Sequence, residues 1–215
     1  MPTVIETTVF PFDELSDAAR ERAREWYRIS NLDYEWWDCT CDDFSTICEI
    51  LGVELKAHPV RLMGGGTRQK PGIRFSGFYS QGDGASFEGR LTYAKGSAAR
   101  IKAYAPKDAE LHDIAARLAA VQKRNFYQLY AIITQRGPYC HENTMQFDVR
   151  RDDAEATADA EDIIAEAMRD LARWLYARLE TEYEFRNADE MVEESITANA
   201  YTFTSSGTSS GGRFG

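Results

Sequence analysis

Apolar positions along the chain recur with two periods, one near 3.6 residues and one near 2. The breaks between these segments carry Gly, Pro, Asn or Asp. Residues 3–10 alternate weakly and are β-branched, which predicts a strand ended by Pro11. Ser16 has the residue type of an N-cap, with Asp17 in the first turn. The helix it opens runs to about Ser30, with Leu15, Ala19, Ala23, Trp26 and Tyr27 on one face. Asn31 and Leu32 make a break, and Asp33 is read as the cap of a second helix through Leu51, closed by Gly52. The apolar stripe of that second helix is Trp36, Trp37, Cys41, Phe44, Ile47, Cys48 and Leu51.

A short strand is expected over 53–56, then a loop over 58–72 rich in Gly and Pro. Residues 73–79 and 86–93 read as two strands of a hairpin, because Gly82-Asp83-Gly84 permits positive φ. A short helix over 97–104 is stopped by Pro106, and Asp108 caps a firmer one to about Lys123. Residues 126–135 and 145–150 pair across Gly137-Pro138. A long helix over 159–185 has Ile163, Ala167, Leu171, Trp174, Leu175, Arg178 and Leu179 along its stripe, with acidic residues early and Arg later. A last helix over 189–198 and an edge strand over 201–204 complete the pattern.

This order predicts an α+β fold: an antiparallel sheet of about five to seven strands, helices mainly on one face, and a long C-terminal helix. Residues 1–204 read as a single domain and 205–215 as a flexible Gly/Ser-rich tail. Apolar residues make up 43% of the 215, enough for a packed core. The net charge of −10 opposes general nucleic-acid binding, where Lys and Arg supply the affinity, and suits solubility or a basic protein partner. With no leader and no apolar run of about 20 residues, the expectation is a cytoplasmic protein with no membrane segment.

The segment from Phe75 to Gly89 concentrates the candidate chemistry. Ser80, Gln81, Asp83 and Ser86 offer polar contacts for a small ligand, Tyr79 offers a ring to stack on it, and the turn's N–H groups offer a nest for an anion. The same residue types also serve a tight hairpin that satisfies itself. Gly64-Gly65-Gly66-Thr67-Arg68-Gln69-Lys70 lacks the spacing of a phosphate loop and reads as flexible. Cys39, Cys41, Cys48, Cys140 and His141 are enough in number for zinc. On a helix, though, Cys39 and Cys41 point about 200° apart, so buried free thiols are expected and no metal or other cofactor. No nucleophile motif occurs around His58, His112 or His141, and no catalytic residue is assigned. Adjacent Trp36 and Trp37 cannot both face one core line, so one of them is a candidate partner contact.

Three segments carry a family resemblance: Phe12-Asp-Glu-Leu-Ser-Asp-Ala-Ala-Arg with Ala-Arg-Glu-Trp-Tyr-Arg, Tyr34-Glu-Trp-Trp, and Phe75-Ser-Gly-Phe-Tyr-Ser-Gln-Gly-Asp-Gly-Ala-Ser-Phe. Over about residues 5–204 the chain resembles a family of tailed-phage and prophage accessory proteins, some labelled antitoxins. The resemblance implies action in the bacterial host cytoplasm and assigns no catalytic residues. Together with the acidic charge and spare aromatics, it leads to the expectation of a non-enzymatic binding protein that inhibits or sequesters a host factor, of anti-defence type. The alternatives are a sponge for a nucleotide-like small molecule, an antitoxin bound to its toxin, and a metal-dependent hydrolase using Asp83 and Glu88. A homodimer is expected through the long helix, whose Trp174, Leu175, Leu179, Tyr183 and Phe185 form a wide apolar arc.

Overall fold

A computed structural model describes residues 6–31 and 35–213. The expected α+β class is what it shows, with every strand pairing antiparallel. The strands number more than expected and divide into one four-stranded sheet and three two-stranded pairs. The sequence reading treats 1–204 as one domain, whereas the chain gathers into two compact units, 1–38 with 181–215 and 39–180.

The first unit holds a short 3-10 turn (Phe12–Glu14), α1 (Asp17–Asn31) and, late in the chain, α6 (Asp189–Ala198). Ala19 and Arg20 donate their N–H to the Ser16 carbonyl, as the N-cap position requires. Phe12, Leu15, Ala19, Ala23, Val192, Ile196 and Phe203 form its core, with Trp26 edge-on to Tyr201 at 5.2 Å and to Phe203 at 5.5 Å. Of the strand expected over 3–10, residues 6–9 are unpaired in any ladder and Phe10 makes a single bridge to Phe203; the earlier part lies outside the described residues. The expected cap Asp33 also lies outside them.

The expected flexible tail contains a strand. β9 (Tyr201–Phe203) and β10 (Ser209–Arg213) pair, with Arg213 opposite Tyr201. The physical reason is Gly207: at φ +84° it packs so closely on α1 that a Cβ would lie 2.1 Å from the Ala19 carbonyl oxygen. Gly207 is therefore a packing residue rather than a linker residue.

The second unit is built on a sheet of β1 (Val53–Leu55), β6 (Gly89–Leu91), β7 (Leu129–Gln135) and β8 (Met145–Arg151), in the order β1-β6-β7-β8. On β7 the alternation is clear: Leu129, Ala131, Ile133 and Gln135 are buried, while Tyr130, Ile132 and Thr134 are not. The buried face meets α2 (Asp38–Leu51), α3 (Ser97–Tyr104), α4 (Ala109–Arg124) and α5 (Ala160–Asn187); the expected stripe of α4 is buried, whereas Cys41 of α2 and Ile163 of α5 are half-buried and Arg178 of α5 is exposed. Phe44 of α2 meets Phe87 edge-on at 5.3 Å.

Three local expectations are corrected. The loop of 58–72 is a hairpin, β2 (Ala57–Arg61) with β3 (Thr67–Pro71), because Gly65 and Gly66 take positive φ and close a tight tip between two exposed strands. The strand of 86–93 is split: β5 (Ala85–Phe87) pairs with β4 (Ile73–Phe75), and at Glu88 the chain changes partners to join β1 as β6. Glu88 donates its N–H to Gly72 and accepts from Lys56 through its carbonyl, so one residue serves both ladders. Of the apolar arc expected at a dimer contact, Trp174, Leu175 and Leu179 are buried inside the chain, Tyr183 is half-buried and Phe185 is exposed. The Trp174 indole N–H donates to Asp108 Oδ2 at 2.8 Å. Among the described residues no helix is long and apolar enough to cross a membrane.

Candidate functional site

The turn singled out by its residue types lies between β4 and β5, over 76–84. Asp83 organises it. Its Oδ2 accepts N–H bonds from Ser80 at 2.7 Å and Tyr79 at 3.1 Å, and its own N–H donates to the Ser80 carbonyl at 3.1 Å. The anion nest expected from the sequence is thus already filled by the chain's own carboxylate. Tyr79 stands 80% exposed at the edge, and Ser80 and Gln81 are exposed beside it. Ser86 is fully buried within β5, and its hydroxyl finds no hydrogen-bond partner among the described residues. Of the candidate residues, Tyr79, Ser80, Gln81 and Asp83 therefore share a surface and Ser86 does not.

A second segment, 136–144, packs against this turn. A Cβ at Gly84 would meet the His141 Cα at 2.6 Å, and one at Gly82 the Tyr139 ring at 2.9 Å. Gly82 also takes φ +93°. Together they enclose an open depression of about 580 Å³ lined by Gln81, Gly82, Asp83, Tyr139, His141, Glu142 and Asn143. Tyr139 is 58% exposed at its rim. The His141 Nδ1 accepts the Asn143 N–H at 3.2 Å, which places the ring proton on Nε2 in the neutral form. Arg173 of α5 lies 3.5 Å from Glu142. Tyr176 donates to the Gly77 carbonyl at 2.9 Å. Burial, and after it the charge of Asp83, raises the Tyr176 phenol above its ordinary value.

What shapes the second segment lies beneath it. Gln135 is buried at the end of β7. Its Nε2 donates to the carbonyls of Tyr139 at 2.7 Å and Gly137 at 3.2 Å, and its Oε1 accepts from Arg74 Nη1 at 2.8 Å. Arg74 Nη2 lies 3.7 Å from the Glu88 carboxylate, itself buried and approached by His58 Nε2 at 3.3 Å and Lys56 Nζ at 3.7 Å. Glu88 is thus a buried structural charge at the partner switch of the strands, matched by Lys56 and Arg74 and approached by the His58 ring.

Trp36 and Trp37 belong to the other compact unit. They precede α2 in a turn rather than riding its face, with ring centroids 5.6 Å apart. Trp36 is buried and lies 5.5 Å from Tyr183, and Trp37 is the half-buried one, as two adjacent rings require. None of the four cysteines is in a disulfide, and only Cys48 is buried, where burial pushes its thiol well above the ordinary range. Cys39 is exposed because it sits on the outer face of α2. Among the described residues no group of three or more His, Cys, Asp or Glu side chains converges in a way that would hold a metal ion.

Sequence reasoning missed Tyr139, His141, Glu142 and Asn143. The signal for them was indirect: two glycines in one turn, each needing another backbone or ring pressed against it. The fold and this depression define a helix-backed antiparallel α+β scaffold that presents a polar, tyrosine-rimmed groove. The chain belongs to a family described as a domain of unknown function (DUF8835), whose model matches residues 36–189. Searches of curated proteins and of solved structures found no match to the chain.

Proposed function

We propose that this is a non-enzymatic binding protein that sequesters a partner, and that the groove between 76–84 and 136–144 receives a basic segment of it. The observation that carries this reading is the composition of the groove: carboxylates of Asp83 and Glu142, the exposed ring of Tyr139, a histidine with an accepting Nδ1, and no Lys or Arg in the lining itself, with Arg173 reaching Glu142 from α5 and the exposed Tyr79 on the same turn as Asp83. Carboxylates and aromatic faces together favour a guanidinium or ammonium group, and a net charge of −10 steers basic partners toward it. An incoming phosphate would instead face those carboxylates, with the Tyr79 and Ser80 N–H groups already engaged. The resemblance to phage accessory proteins narrows the partner to a bacterial host protein that is inhibited by capture.

Calorimetry with an Arg-rich and a Glu-rich peptide of equal length tests the reading. The Arg-rich peptide binds, and Tyr139→Ala with Glu142→Gln weakens it about tenfold, the scale of one lost cation–π contact plus one charge. Equal binding of both peptides, or an affinity indifferent to these substitutions, refutes it.

A further inference from the structure

The hairpin of β2 and β3 is out of character with the rest of the chain. Residues 57–71 contain Arg61, Arg68 and Lys70 and no acidic residue, in a protein of net charge −10. Its strands are exposed from residue 59 to residue 70, and the tip carries Val60, Leu62 and a fully exposed Met63. Among the described residues nothing lies within 4 Å of where a Cβ would stand on Gly64, Gly65 or Gly66 at the tip. Yet it is a formed structure: Leu62 and Gly66, and Gly65 and Leu62, close it with backbone bonds of 3.1 and 3.0 Å. A preformed arm of five paired positions reaches about 17 Å, at about 3.4 Å per residue. An exposed apolar tip between basic strands marks a contact surface.

Its complement lies on the same unit. A groove of about 520 Å³ runs between α2 and the base of the arm, with Asp42, Glu49 and Glu54 at its edges and Val53, Leu55 and Pro71 as apolar lining. All three carboxylates are exposed. The arm cannot fold back into its own groove, because its base strands, through Ala57, Gln69 and Pro71, form one wall of it. The register puts Arg61 and Thr67 on the same face as Gln69 and Ala57, so Arg61 continues the groove wall outward, while Arg68 and Lys70 lie on the opposite face.

We infer that the arm docks in the acidic groove of a second copy of this chain, and that the second copy's arm returns the contact. A surface carrying both a knob and its complementary groove closes as a two-fold dimer. Leu62 and Met63 enter the apolar lining, and Arg61 meets Glu49 and its neighbours. This surface differs from the helix α5 arc expected from the sequence.

Sedimentation velocity on the full chain is the test. The wild type sediments as a dimer at low salt, and its dissociation constant rises about tenfold or more toward 1 M NaCl, where the Debye length falls to about 3 Å. Arg61→Glu and Glu49→Lys are each monomeric alone, because each sets like charges against one another at both contacts. Mixed in equal amounts they form a heterodimer, since one contact then pairs Glu with Lys and the other is native. Unchanged far-UV circular dichroism verifies that both variants fold, and an arm cut back to an Asn-Gly turn beyond His58 and Lys70 is a second monomeric control. A wild type monomeric at all concentrations, a dimer indifferent to these changes, or a mixture that stays monomeric overturns the inference. The first of these outcomes would leave the arm to an acidic partner of another kind.

Discussion

Replacing Asp108 by Ala removes three bonds from one carboxylate. Asp108 is the N-cap of α4, accepting the Leu111 N–H at 3.0 Å. It also accepts the Trp174 indole N–H and an Arg178 Nη2 hydrogen, both at 2.8 Å. Loss of the cap costs about 1 kcal/mol. The buried indole N–H is left without an acceptor, at about 1–3 kcal/mol. Arg178 is half exposed, so its ion pair adds about 1 kcal/mol at most. The sum is about 2–5 kcal/mol, read as a shift in the urea midpoint by far-UV circular dichroism. Arg178→Gln should cost about 1 kcal/mol or less, and Asp108→Asn, which keeps an acceptor and a good cap, falls between. Burial pulls the Asp108 carboxyl upward, but the bonds from Leu111, Trp174 and Arg178 outweigh it and hold it below its ordinary value. A carboxyl lowered in the folded state contributes its full stability above its unfolded value, near pH 4. That contribution is lost as the pH falls through the folded value. The gap between wild type and Asp108→Asn therefore narrows in acid. An Asp108→Ala loss under about 1 kcal/mol, or a gap that widens in acid, refutes the reasoning.

Gly84→Ala places a methyl 2.6 Å from the His141 Cα, which is backbone and cannot rotate away. It should therefore displace 136–144 and abolish peptide binding in calorimetry while far-UV circular dichroism is retained. Glu88→Gln keeps the shape but leaves Lys56 and Arg74 without their counter-charge and the His58 ring without its neighbouring carboxylate. Those three are each about half exposed, so the expected loss in urea unfolding is about 1–3 kcal/mol, below that of a wholly buried pair. Under native conditions a thiol reagent labels Cys39 first and Cys48 only on unfolding, since Cys48 is buried with its thiol pushed up. Mass spectrometry of the labelled peptides checks the order.

Where a single segment carries the whole cause of its structure, the sequence sufficed. Asp108 before an apolar stripe is such a case, and so are α6 and the β7–β8 pair around Gly137-Pro138. Where the cause lies in another segment, it did not. Gly64 to Gly66 and Pro59 read as breakers, because a two-stranded arm exposed on both faces has no buried alternation to reveal it. Gly207 read as linker because its reason, the Ala19 carbonyl, is far away in sequence. Half of the candidate groove was visible as Tyr79 to Asp83. The other half was hidden because Gln135 recruits it through main-chain carbonyls, which no residue type announces.

Gln135 holds the rim of the groove by the oxygens of residues 137 and 139, and Arg74 holds Gln135 in turn. The scaffold therefore holds the path of this segment chiefly by its main chain, with the Thr144 hydroxyl and the Tyr139 ring as side-chain contacts. Substitutions at Glu142 and Asn143 should therefore change the groove's preferences more than the path of the loop.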